Sequence, residues 1–182
     1  MLRQMNARNM SLYLASAIGR GRTELSAFDA ALAGVGVANF NLIRLSSVIP
    51  PGSEIVEVDR CPFAHEGQWG DRLYAVYAEK RTSTPGEQVW AGVGGCQDPE
   101  TGHGLFIEHE GAREQAVRDQ IAASVADLQA IRGLDLGPVR TRVVGAMCSG
   151  APTCALVICG YETVPWSAPT RIQREAFEMA WR

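Results

Sequence analysis

Asn41-Leu-Ile-Arg-Leu-Ser-Ser-Val-Ile-Pro-Pro-Gly52 is the stretch from which the rest of the chain is read. Its apolar residues suit extended backbone, and Pro50 and Pro51 cannot donate to a ladder. The segment therefore predicts a strand over residues 39–49 that stops at Pro-Pro-Gly. Upstream, Ser11 to Ile18 predicts another strand. Gly19-Arg-Gly-Arg22 turns it into a helix over residues 23–32, with Leu25, Phe28 and Leu32 as its buried stripe. Strand, Gly-x-Gly, helix is also how a dinucleotide site begins, but Glu24 stands where the third glycine of that fingerprint belongs. The glycines are read as a turn.

Downstream, strands are predicted at residues 55–58, 72–79, 88–94 and 105–110, the last two joined by the polar turn Gln97-Asp-Pro-Glu-Thr-Gly102. Val117, Ile121, Val125, Leu128 and Ile131 recur at steps of three and four, which predicts an amphipathic helix over residues 112–132, stopped by Gly133. Residues 140–147 and 153–161 predict a hairpin around Ser149-Gly-Ala-Pro152. Ile172, Ala176, Met179 and Ala180 point to a short terminal helix. Many strands with helices in few places predict one α+β domain over residues 1–182, a layered sandwich of mainly antiparallel sheets flanked by helices, of αββα type.

The 182 residues are 46% apolar and 20% charged, enough to bury a core and unlike a disordered chain. A net charge of -3 offers no basic field to nucleic acid or an anionic membrane, so neither is expected as a partner. No run approaches the ~20 apolar residues of a membrane span. Arg3 and Arg8 ahead of Met10–Ile18 resemble a secretory leader, but the apolar core before Ala15 is too short, and none is expected. The cysteines, Cys61, Cys96, Cys148, Cys154 and Cys159, are odd in number and include no Cys-x-x-Cys pair. They read as buried thiols of a cytoplasmic protein. Cys154 and Cys159 fall on opposite faces of a strand, and His65, His103 and His109 lack metal spacing, so no metal is expected. Trp69, Trp90, Trp166 and Trp181 read as packing or interface residues.

Lys80 is the sole lysine and sits in a polar run, which disfavours chemistry that needs a desolvated lysine amine. Ser46 and Ser47 admit two readings. They are small polar residues easing a strand into a turn, or they mark a strained peptide whose Ser47 hydroxyl attacks the preceding carbonyl and converts the amide into an ester. Elimination from that ester leaves dehydroalanine, which hydrolyses to a pyruvoyl group.

Three segments, Leu25-Ser-Ala-Phe-Asp-Ala-Ala-Leu32, Asn41 to Gly52, and Gly104-Leu-Phe-Ile-Glu108, together resemble the pyruvoyl-dependent arginine decarboxylases. The resemblance covers most of the chain and is most specific in the Asn-Leu-Ile-Arg-x-Ser-Ser-x-x-Pro-Pro-Gly string. It implies self-cleavage between Ser46 and Ser47 into residues 1–46 and 47–182, a covalent pyruvoyl cofactor derived from Ser47, and decarboxylation of L-arginine to agmatine and carbon dioxide. Glu108 matches the family's glutamate beside the pyruvoyl group, with protonation of the α-carbon as its role; burial or the nearby Glu110 could keep it protonated. In a strand Glu108 and Glu110 share a face and His109 points away, and Glu110 is read as a solvated rim carboxylate. Asn41 matches an asparagine that hydrogen-bonds the carbonyl during cleavage or orients the finished group.

Six extended residues separate Asn41 from Ser47 by ~20 Å, so contact needs a bend or a second protomer. The family's trimers, with active sites at subunit contacts, imply the second. Asp29 matches the acidic residue that receives the guanidinium, although a surface or capping role reads equally well. Arg44 either meets the substrate carboxylate or is a snorkelled strand arginine, the preferred reading. The alternatives are a pyruvoyl decarboxylase of another amino acid and an uncleaved structural or regulatory subunit. A conventional serine hydrolase is disfavoured because no Gly-x-Ser-x-Gly elbow occurs.

Overall fold

A computed structural model describes residues 10–65 and 67–166. The predicted terminal helix, Trp181, and Arg3 and Arg8 of the leader-like segment lie outside them. In chain order the elements are β1 (Met10–Arg20), α1 (Glu24–Val35), β2 (Asn41–Arg44), β3 (Val48–Ile49), β4 (Ser53–Glu57) and a 3-10 turn (Pro62–His65). They continue with β5 (Arg72–Thr82), β6 (Gln88–Gln97), β7 (Gly104–Gly111), α2 (Glu114–Arg132), β8 (Arg140–Met147) and β9 (Thr153–Val164).

Two sheets form, one in the order β2-β5-β9-β1-β4 and the other in the order β3-β7-β6-β8. The second is antiparallel throughout. In the first, the outer pairs β1–β4 and β2–β5 are parallel, and the inner pairs are antiparallel.

β9 shows why the sheets stack. Cys154, Leu156 and Ile158 join a core with Ala27, Ala31 and Val35 of α1, whereas Ala155, Val157, Cys159 and Tyr161 join Val89, Ala91, Val93 and Phe106 of the opposite sheet. A strand apolar on both faces must be covered on both. On the far side Val117, Ile121 and Val125 of α2 pack on Leu105 and Ile107 of β7. The layers are therefore α1, sheet, sheet, α2, the expected αββα sandwich. All five cysteines are free and buried, and Cys154 and Cys159 lie in different core layers.

Four local expectations are corrected. The strand over residues 39–49 is two strands in different sheets, because the chain leaves the first sheet after Arg44 and joins the second at Val48. The predicted 140–161 hairpin does not pair: β8 bonds to β6, and β9 to β1 and β5, so Ser149–Pro152 carries the chain between sheets. Turn residues mark the reversal without fixing which sheet receives the next strand.

The stripe on α1 is Ala27, Ala31, Leu32 and Val35, with Leu25 69% exposed. Small residues are needed there because the helix lies almost in contact with Gly19. A Cβ on Gly19 would sit 2.0 Å from the Ala27 carbonyl oxygen and 2.4 Å from the Ala31 nitrogen. On α2, Ile131 continues the apolar spacing but is exposed, one turn beyond the last buried contact.

Candidate active site

The break between β2 and β3 places the serine pair at the crossing between sheets. Leu45 N–H donates to Ala75 O of β5 at 3.0 Å, which ties the upstream side to the first sheet. Phe106 N–H of β7 donates to Ser47 O at 2.7 Å, and β3 then pairs with β7 at Val48↔Leu105 and Ile49↔Gly104, which ties the downstream side to the second. The Ser46–Ser47 peptide spans the gap. Ser47 has φ 68°, and among the described residues it is the one non-glycine in the left-handed region. For a residue with a Cβ that conformation costs ~1–2 kcal/mol and persists because both flanks are pinned.

The Ser47 hydroxyl donates to Glu108 Oε1 at 2.6 Å. Glu108 reaches it because β7 alternates: Leu105 and Ile107 face α2, while Phe106 faces the inter-sheet core and Glu108 follows it. His109 turns the other way, its Nε2 2.8 Å from Ser124 Oγ of α2, and Glu110 is exposed. Burial raises the Glu108 carboxyl above the ordinary range, opposed first by the Ser47 hydrogen bond and then by the Arg44 and His109 charges. Burial rather than Glu110 is the cause.

Tyr161 and Cys159 of β9 close the inner wall, both thiol and phenol pushed up chiefly by burial, next by a neighbouring thiol (Cys61 for Cys159, Cys159 for Tyr161) and then by the Glu108 charge. Arg44 is exposed, its guanidinium 4.5 Å from the Tyr77 ring centroid and donating to the Tyr77 carbonyl. That is the snorkelled placement, near enough to Glu108 to act on its charge.

The single chain brings Ser46, Ser47 and Glu108 together but not the other two candidates. Asn41 opens edge strand β2, is exposed, and its Nδ2 donates to Gly70 O. The break after Arg44 removes the premise that Asn41 and Ser47 share a strand face. Asp29 is exposed on α1, on the side of the first sheet away from the Ser47–Glu108 pair. Two hollows, one of about 400 Å³ that includes Ser53, Gln97, Asp98 and Arg140 and one of about 210 Å³ beside Trp69, include none of these residues. Sequence reasoning missed Tyr161 and Phe106 N–H; the period-two alternation of β9 was the available signal for Tyr161.

The sequence profile of the family described as pyruvoyl-dependent arginine decarboxylase matches residues 11–164. The chain belongs to that family.

Among curated relatives, the pyruvoyl-dependent arginine decarboxylase of Halobacterium salinarum is 37% identical over 151 residues, which cover 79% of this chain and 88% of that protein. The enzyme of the same name from Thermococcus kodakarensis is 29% identical over 147 residues, 80% of this chain and 90% of that protein. That from Methanocaldococcus jannaschii is 29% identical over 133 residues, covering 72% and 77%. A family that carries a covalent pyruvoyl group needs a serine that can be converted in place. The strained Ser47, with its hydroxyl on a partly buried carboxyl and its carbonyl on a backbone N–H, fits that need.

Among the described residues no group of three His, Cys, Asp or Glu side chains comes together to hold a metal, and no helix is long and apolar enough to cross a membrane.

Proposed function

We propose that this chain cuts itself between Ser46 and Ser47 and that the resulting enzyme decarboxylates L-arginine to agmatine and carbon dioxide. The observation that carries the reading is the conjunction at Ser47 of a left-handed backbone with a hydroxyl 2.6 Å from Glu108.

Ser47 Oγ attacks the Ser46 carbonyl carbon, the C–N bond breaks, and the proton goes to the Ser47 nitrogen, exchanging the peptide for an ester and relieving the strain. Loss of the Ser47 α-proton then expels Ser46 as a free carboxylate and leaves dehydroalanine. Addition of water releases ammonia and leaves a pyruvoyl group capping residues 48–182. Ser47 O becomes the amide oxygen of that cap, and Phe106 N–H is already on it.

Once formed, the pyruvoyl group held at position 47 would supply a carbonyl electron sink for the electron pair left on the substrate as carbon dioxide departs. Glu108 then delivers a proton to the α-carbon, for which a carboxyl held protonated by burial is suited. Cleavage consumes the Ser47 hydroxyl, the foremost influence holding the Glu108 pKa down, so maturation strengthens the acid form.

Asp29 receives the guanidinium from a second copy of the chain, since within one chain it lies across a sheet from Glu108. The half-exposed apolar pair Ile43 and Val48, on either side of the cut, supports a subunit contact there, and a trimer is the assembly the family resemblance implies. Free, buried cysteines fit a reducing, cytoplasmic setting.

Intact mass and a denaturing gel test the reading. Two fragments divided after Ser46, the larger reactive toward carbonyl reagents, together with carbon dioxide release from arginine, are expected. Ser47→Ala is expected to run as one inert band. A single band from the parent protein, inert toward arginine, favours the uncleaved-subunit reading instead.

A further inference from the structure

We infer that Tyr161 is a positioning residue for this reaction, holding the Val48 carbonyl so that the group made from Ser47 stays against Glu108. The inference rests on the site reading above and adds a residue to it.

β3 is the edge of its sheet, and only one side of its backbone has a strand beside it. Ser47 O takes the Phe106 N–H of β7. Carbonyls alternate along a strand, so Val48 O points away from β7, where the sheet offers no donor. The Tyr161 hydroxyl supplies one: it reaches across from β9 in the other sheet and donates to Val48 O at 3.1 Å. Its ring is 7% exposed and meets Phe106 edge-on, centroids 6.2 Å apart. The residue that fixes Val48 O is thus itself braced by the residue that fixes Ser47 O.

Two consecutive carbonyls just downstream of the cut are therefore fixed by two different sheets. Before cleavage this holds the 47–48 and 48–49 peptides, so the left-handed Ser47 cannot relax by rotating the chain on its downstream side. After cleavage the tether through Leu45 is lost, and the two-residue β3 would fray from its new end if Phe106 N–H alone held it. Tyr161 then keeps the reactive carbonyl from swinging off Glu108, and misplacement of about 1 Å is costly to catalysis.

Tyr161→Phe removes only the hydroxyl, and it is tested in two settings. In a Ser47→Ala background, which cannot cut itself, amide exchange over residues 47–49 is expected to quicken about five- to tenfold, as loss of one hydrogen bond implies. Exchange in the middle of β9 should stay unchanged. In the cleavable protein, self-cleavage is expected to slow by a similar factor, and the cleaved fraction should show kcat about tenfold lower with KM for arginine within twofold.

Unchanged exchange at residues 47–49, or exchange that rises equally in β9, overturns the inference, the latter by reducing Tyr161 to a packing residue. Parent-like kcat in cleaved Tyr161→Phe overturns it too. A parent protein that neither cuts itself nor turns over arginine defeats the reading of the site, whereas an active parent matched by Tyr161→Phe defeats only the role of Tyr161.

Discussion

Glu108 and Ser47, hydrogen-bonded to each other, form the pair on which the proposed maturation and turnover both draw, and substitution separates the two tasks. The strain at Ser47 comes from backbone pins that Glu108→Gln leaves in place, so that variant is expected to cut itself. Without an ionisable proton it is expected to lose turnover by ~10²-fold or more, measured as carbon dioxide release per mole of pyruvoyl.

The pH dependence has a definite sign. Because burial raises the Glu108 pKa, activity that needs the acid falls as pH rises through the raised value, and Glu108→Gln removes this limb. Stability runs the same way. The contribution from a raised carboxyl is fully present below the ordinary Glu pKa of ~4.3 and is lost as pH rises through the folded-state value. In uncleaved Ser47→Ala protein, adding Glu108→Gln is therefore expected to flatten the fall in melting temperature from acid toward neutral pH. A melting profile that stays parallel to that of Ser47→Ala alone contradicts the assignment.

Among the elements, α1 shows how a pattern misleads. Leu32 is buried and Phe28 packs against the same core, as their spacing implies, but Leu25 is exposed, and the helix docks through Ala27 and Ala31 because Gly19 lets the backbones approach closely. Gly19→Ala places a methyl against backbone atoms that cannot yield without moving the helix. A loss of about 3 kcal/mol is expected from the denaturant midpoint at constant slope. A loss near zero means that α1 shifts freely.

The long helix α2 and the β6–β7 hairpin were legible because their patterns are local: a 3.6 period ended by Gly133, and a polar turn between two strands. The split of the 39–49 segment was not, since Leu45 to Ser47 are compatible with strand and leave it only to cross between sheets. The β8–β9 link failed for the same reason.

The whole molecule decides whether the site has walls for a substrate. The serine pair and Glu108 lie at the open edge where the two sheets are bridged, with exposed Ile43 and Val48 beside them, and Asp29 is carried on the far side of a sheet. Ile43→Asp is expected to weaken self-association, read by sedimentation, and to lower arginine turnover in parallel. Asp29→Ala is expected to leave cleavage and assembly intact while raising KM for arginine by ~10–10²-fold, the cost of removing one partner of a charged pair. If mixed oligomers of Asp29→Ala and Glu108→Gln chains recover part of the activity each variant lacks alone, the two residues act from different copies. The absence of any recovery contradicts the shared site.

Ser46, Ser47 and Glu108 could be named as candidates from the chain alone, because the 41–52 string and the Gly104–Glu108 segment resemble the family's, and the layered class followed from many strands with helices in few places. Tertiary structure alone decided that the 39–49 segment breaks, that Ser47 is held left-handed between two sheets, that Tyr161 stands behind Val48, and that Asn41 and Asp29 lie away from the pair. Sequence periodicity reports which face of an element is buried. Which elements become neighbours depends on how two twisted sheets stack and where the chain crosses between them, and those contacts join residues far apart in the chain.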